Sequence, residues 1–416
     1  MLLVMLAGIG ICRNNLRKRD LVMQNNASNS TSKDSLFAPL TIGFAQFVIS
    51  SCSFYSFSTL IPAWESHFAT SKAVITFGLS LSILAAALSI NVAGFFIKNG
   101  YGHYLLTLST AATGLSLIFL STSDDILSFY ISWGIIGIFQ GCAMTEACSA
   151  LIIRSNIIQQ RRALSIVSIF TGISSSFSFI FVAPLVEFLG WRLAISFCGL
   201  LILIFGIPSI FFGTRQLSNR STPYVVLSKS LRKTNVICCK NIISVCVVSF
   251  FISVMTSSIM FHVINLMTQS GVNARDGAYL AACIGFAQIF GRIINLSNKI
   301  GSEKSILISG VLMIALAIAP FYIIQNNIMI FFFSTVTIGL SFGFISVPRQ
   351  MITAKILGSG RSQAYTFVSM IFLCGFAFGP VISALAWDFF DKIGFLVCIF
   401  ISLSIIAVMT LVIKID

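Results

Sequence analysis

The chain has 416 residues, of which 57% are hydrophobic and only 9% charged, and its mean hydropathy is +0.97. A soluble domain carries about 25% charged residues, so this composition excludes an ordinary water-soluble globule and points to a chain dissolved mostly in a lipid bilayer. The formal net charge of +14 would suit nucleic acid, but no basic run with interleaved aromatics lies on a polar domain, and no nucleic-acid partner is expected.

Residues 1–11 are apolar but shorter than the roughly 20 residues that cross a bilayer. Arg13, Arg17, Lys18 and Arg19 follow this run. A secretory signal carries its charges in front and a small-residue cleavage site behind. Residues 22–36 are polar and read as disordered. The expectation is a cytoplasmic tail over 1–37, with translation starting at Met23 and residues 1–22 an artefact of start-site choice.

Apolar runs then follow one another near 38–63, 73–97, 104–121, 126–153, 163–188, 192–213, 242–266, 277–297, 305–324, 327–352, 364–387 and 393–413. Backbone in hydrocarbon must satisfy its own hydrogen bonds, and the alternation of a membrane barrel is absent, so these runs are predicted to be helices. The fold class is therefore an all-α membrane protein with twelve transmembrane helices. With the N-terminus inside, twenty of the 26 Lys and Arg fall on cytoplasmic segments. That bias places both termini in the cytoplasm. The longest polar break, 214–240, is basic and divides the chain into bundles of six over 38–213 and 241–416. The halves echo each other: Asn91-x-x-Gly94 in the second span matches Gln288-x-x-Gly291 in the eighth, and Gly141 before Glu146 matches Gly343 before Arg349. Two pseudo-symmetric six-helix bundles around a midplane site are the pattern of a secondary transporter.

Three charges stand inside spans. Glu146 is the only acidic residue deep in an apolar run. From the helical rise, Glu146, Arg349 and Arg292 lie roughly 12, 9 and 10 Å from the cytoplasmic face, in one layer. Buried membrane charges are costly and usually functional. The structural alternatives are a helix–helix tie for Glu146, snorkelling to lipid phosphate for Arg349, and a conformational lock for Arg292. Tyr55, Gln140, Gln288 and Asn265 are candidate polar groups of a substrate cavity. His262 lies 22 residues beyond Lys240, roughly 33 Å along its helix and near the outer surface, where it is a weaker candidate for gating. Gly172–Ser176 reads as a close-packing stretch. The eleven cysteines have no metal-ligand spacing. No phosphate-binding loop or HExxH occurs, so no cofactor, metal or nucleotide drive is expected.

Over residues 38–413 the chain resembles a major facilitator superfamily transporter. The twelve runs, the basic central loop, Gly190-Trp191-Arg192 and Gln140-Gly141 carry the likeness. Ser53-Phe54-Tyr55 and Phe290-Gly291-Arg292 place it nearest the monocarboxylate/oxalate-type branch. The resemblance implies that spans 1, 4, 7 and 10 line a central cavity, that Arg292 meets a substrate carboxylate, and that Glu146 and Arg349 face each other across the path. The chain departs from the family at Lys98-Asn99, which lacks the acidic gate residue of the second-to-third loop. It departs again at Gly137, where the fourth span usually has arginine, and at Ala183-Pro184-Leu185, where drug/proton antiporters have Gly-Pro.

The expected function is secondary active transport of a small solute, an organic anion such as a monocarboxylate, by a monomer in a bacterial cytoplasmic (inner) membrane, with the substrate's carboxylate meeting Arg292 or Arg349, since guanidinium forks match carboxylates. An unpartnered carboxylate in a dry cavity favours its protonated form, so Glu146 is expected to carry a coupled proton. Efflux of amphipathic or drug-like compounds is the alternative within transport. An intramembrane enzyme or lipid-handling protein is the alternative of another class. The start-site expectation is checked by intact mass of the native protein: a mass beginning at Met23 is expected, and a mass that includes residues 1–22 overturns it.

Overall fold

The computed structural model describes residues 36–155, 160–219, 236–296, 301–325, 327–357 and 362–413. Among these residues there is no strand, and helices follow one another with short connections. Met23, almost all of the tail over 1–37 and most of the linker over 214–240 lie outside them.

The first span is Phe37–Phe68 and the fourth Ile126–Arg154. Between them stand Lys72–Lys98 and Gly102–Leu120. The fifth and sixth spans form one helical run from Gln160 to Asn219, parted at Gly190 by a φ of 75°. The seventh is Val236–Gln269, the eighth Ala274–Ile294, the ninth Glu303–Ile323 and the tenth Ile328–Leu357. Ser362–Val412 holds the eleventh and twelfth, parted at Phe390–Asp391, where Asp391 has a φ of 52°. Both partings fall between apolar runs predicted to be separate helices, so the described residues hold twelve helical rods. Ten stretches satisfy length and apolarity for crossing a membrane. The eleventh and twelfth spans count there as one, and the eighth falls short because its apolar stretch is the shorter Tyr279–Ile294.

The helices run further into the central linker than apolarity suggested. The sixth continues to Asn219 and the seventh begins at Val236, both inside the predicted linker over 214–240. A cation at a helix end does not stop the helix when its stem can lie along an apolar neighbour. Arg215 does this, its guanidinium 5.8 Å from the centre of the Phe211 ring.

At the basic end of the molecule the two halves meet. The second span touches the eleventh, where Lys98 Nζ donates to Gln363 Oε1 at 3.3 Å and Ser362 Oγ to the Gly94 carbonyl at 3.5 Å. The fifth touches the eighth, where Arg161 Nε donates to the Asn295 carbonyl at 3.2 Å. At the opposite end the N-terminal half is tied by edge-to-face rings, Phe57 on Trp133 at 4.8 Å and Trp64 on Phe129 at 5.1 Å. There Arg192 of the Gly-Trp-Arg turn donates to Asp124 at 2.7 Å and to the Ser121 carbonyl at 2.6 Å.

Within each half, one crossing brings backbone onto backbone. A Cβ on Gly137 would lie 2.2 Å from the Ser82 carbonyl oxygen, and one on Gly141 would lie 2.4 Å from that of Ala86. The tenth span repeats this against the eighth: Gly339 would meet the Ile284 carbonyl at 2.5 Å, and Gly343 that of Gln288 at 2.4 Å. Small residues four apart permit such contact between membrane helices. Gly137 thus has a packing reason to replace the family's arginine, which at this crossing would enter the backbone of the second span. Gly137→Ala is expected to destabilise the protein by about 1–3 kcal/mol, as overpacking does. Gly134→Ala, whose nearest neighbour would be 3.8 Å away, is expected to be neutral or slightly stabilising. Thermal unfolding in detergent compares the two.

Candidate functional site

The fourth span is not one helix. Met144 adopts extended backbone, φ −82° and ψ −176°, between the helices Ile126–Ala143 and Thr145–Arg154. Glu146 therefore stands in the first turn of a half-helix, where the positive end of the helix dipole favours a carboxylate. In the tenth span Pro348 directly precedes Arg349. Proline has no N–H, so the ladder loses a bond at that turn.

Arg349 Nη2 donates to Glu146 Oε1 and joins the two halves. The side chains are 5% and 13% exposed, so the pair is removed from water. Glu146 Oε2 accepts from Ser369 Oγ at 2.6 Å and more loosely from Tyr365 at 3.5 Å, both on the eleventh span. The guanidinium of Arg349 lies 4.0 Å from the centre of the Phe372 ring, while its Nη1 is buried without a hydrogen-bond partner. The carboxylate of one half is thus held entirely by donors of the other.

Arg292 lies apart from this pair. Its Nη1 donates to the Ser168 carbonyl of the fifth span at 2.6 Å and its Nη2 to Gln288 Oε1 at 2.9 Å. Gly172 makes the room, since a Cβ there would sit 2.5 Å from Nη1. Tyr55, the last residue of the π-helical segment Ser50–Tyr55 in the first span, lies within the electrostatic reach of Arg292. The described partners of Arg292 are a carbonyl and a neutral amide, and its Nε is buried without a partner. Its positive charge is not cancelled by any described carboxylate.

The structure therefore brings together Glu146 with Arg349, and Arg292 with Gln288. Gln140 lies one turn before the Met144 break, 3% exposed, with a buried Nε2 that has no partner. His262 and Asn265 are not brought to the charges. His262 Nε2 sits 3.1 Å from the Pro380 carbonyl, and its ring packs on Trp387 and Phe395. The imidazole is thus engaged in joining the seventh span to the eleventh. Asn265 is exposed toward the far end of the seventh span. Ser369, Tyr365, Phe372 and Ser168 were not singled out from sequence. Hydroxyls are common in these spans and mostly bond to their own helix, as Ser53 does to the Ile49 carbonyl at 2.6 Å. Gln46 was also passed over, although it is the lone amide in the apolar stretch 37–64, and the cost argument that marked Glu146 applies to it too.

A family model described as the Major Facilitator Superfamily matches residues 43–296. The chain belongs to the Major Facilitator Superfamily. This member is accordingly a multi-pass membrane protein and a secondary transporter of a small molecule, not an enzyme. It is similar to the human organic anion transporter MFSD10 (TETRAN), with a TM-score of 0.72 and 13% identity over 91% of this chain and 99% of that one. The proton:xylose symporter XylE, bound to 6-bromo-6-deoxy-D-glucose, gives 0.68 and 13% over 91% and 94%. FucP in the outward conformation gives 0.65 and 11% over 90% and 98%. At these identities the likeness is one of fold. No curated protein matches the sequence.

Removing one partner of a buried ion pair costs about 3–5 kcal/mol, because the other charge stays behind. Arg349→Met is expected to destabilise this superfamily member by that amount. The double variant Glu146→Gln/Arg349→Met should recover much of the loss. Equilibrium unfolding in detergent checks both, and a double variant no better than the single one argues against the pair.

Proposed function

We propose that this transporter moves a small organic anion, such as a monocarboxylate, across a bacterial cytoplasmic membrane by alternating access, coupled to a proton, with both termini in the cytoplasm. The observation that carries the reading is the unequal state of the arginines inside the eighth and tenth spans. Arg349 is neutralised by Glu146, whereas Arg292 keeps a net charge among neutral partners beside Tyr55 and Gln288. A guanidinium fork matches a carboxylate in shape and charge. Arg292 is the binding cation in this reading, with Gln288 and Tyr55 orienting the substrate. Glu146 and Arg349 form the gate. Protonation of Glu146 discharges the bond across the halves and lets the basic end open. The anion-transporting and proton-coupled neighbours named above are compatible with both parts.

Efflux of amphipathic compounds is the second reading. It is favoured by rings in the first and fifth spans, where Phe47 meets Phe177 at 4.9 Å and Phe177 stacks on Phe181 at 5.0 Å.

Uptake of labelled lactate, pyruvate or oxalate into proteoliposomes, with and without a pH gradient, separates the readings. Flux of at least one acid is expected, and no flux of any of them favours efflux. Arg292→Gln should weaken apparent affinity about tenfold to a hundredfold, the worth of a charged hydrogen bond. Glu146→Gln should abolish pH-driven accumulation while sparing exchange, and accumulation that survives intact removes the proton role.

A further inference from the structure

The Met144 break has no glycine or proline to make it. The nearest glycine, Gly141, is still helical three residues earlier, and Ala143 and Met144 are residues at home in helices. Something outside the fourth span must hold it open. The first span supplies that contact with one side chain. Gln46, fully buried, donates from Nε2 to the Ala143 carbonyl at 2.8 Å and reaches Cys148 Sγ at 3.2 Å. Its Oε1 accepts from Thr145 Oγ1 at 3.2 Å. In an unbroken helix the Ala143 carbonyl would accept from the Ala147 amide. That amide turns instead to the Met144 carbonyl at 3.1 Å. Gln46 therefore takes the place of the lost ladder bond and at the same time ties down the first residue of the half-helix.

We propose that Gln46 is a positioning residue: its carboxamide holds the fourth span open at Met144 and thereby aims Glu146 at Arg349. The inference rests on the reading of that ion pair as the gate. Each residue of a continuous helix is turned by about 100° from the last, so closing the break changes the direction in which Glu146 projects. A carboxamide suits this task. It has a donor for the orphaned carbonyl and an acceptor for the Thr145 hydroxyl, and it carries no charge to compete with Glu146 for Arg349.

The test is a break and its repair. Gln46→Met keeps the volume and removes both hydrogen bonds. Thr145→Pro restores the break covalently, because proline fits the first position of a helix and confines the residue before it to extended backbone, as Met144 already is. Amide hydrogen exchange over residues 143–149 of the full-length protein in detergent reads the break without any substrate. The Glu146 amide heads a half-helix in the native protein. In Gln46→Met it gains an acceptor in the preceding turn and is expected to exchange about tenfold more slowly. In Gln46→Met/Thr145→Pro the exchange should return to the native rate. pH-driven accumulation of lactate should follow the same order, lost in the single variant and recovered in the double. Unchanged exchange in Gln46→Met, or a defect that Thr145→Pro does not reverse, overturns the proposal. If Gln46→Met fails to accumulate as folded protein, a monodisperse double variant supports it and an unfolded one overturns it. A failure of lactate transport in the native protein counts against the anion reading and leaves the exchange result standing.

Discussion

A carboxylate in hydrocarbon must be neutralised by a partner or by a proton, because the medium offers it nothing else. In this protein that requirement is met across the boundary between two six-helix bundles. Glu146 belongs to one bundle, and all three of its side-chain donors, Arg349, Ser369 and Tyr365, belong to the other. The contacts that satisfy the charge are consequently also contacts between the halves. The irregularities nearby serve the same requirement: the extended Met144 places Glu146 at a helix N-terminus, and Pro348 sits beside Arg349 in the facing helix.

The two halves solve their packing problem in the same way and their charge problem differently. Gly137 and Gly141 press the fourth span onto the second as Gly339 and Gly343 press the tenth onto the eighth. These crossings pack the helices of each pair backbone against backbone. On this repeated frame the N-terminal half carries an acid and the C-terminal half two arginines. Arg349 and Glu146 cancel. Arg292, bonded across the boundary to the Ser168 carbonyl, has no described carboxylate beside it.

The helix count, the division into halves and the breaks near residues 190 and 390 were all readable from runs of apolar residues, because the demand that backbone in lipid satisfy itself is local. Glu146, Arg349 and Arg292 were equally legible, since a charge in an apolar run is conspicuous whatever surrounds it. The same reasoning placed His262 near the outer end but could not say that its ring would be spent on the Pro380 carbonyl. Nor could it separate Ser369 from the many serines that bond to their own helix.

By itself, then, the sequence determined that this is a twelve-helix membrane protein with three charges inside its spans, because solvation cost depends only on a residue and its near neighbours in the chain. Only the tertiary structure decided which charges meet. The partner of Glu146 is 203 residues away, and the break that presents it is held by Gln46 on another helix, with no helix-breaking residue at Met144 to announce it. Both depend on how helices face one another, and that is set by close contacts of glycine and backbone between spans, not by the composition of any one of them.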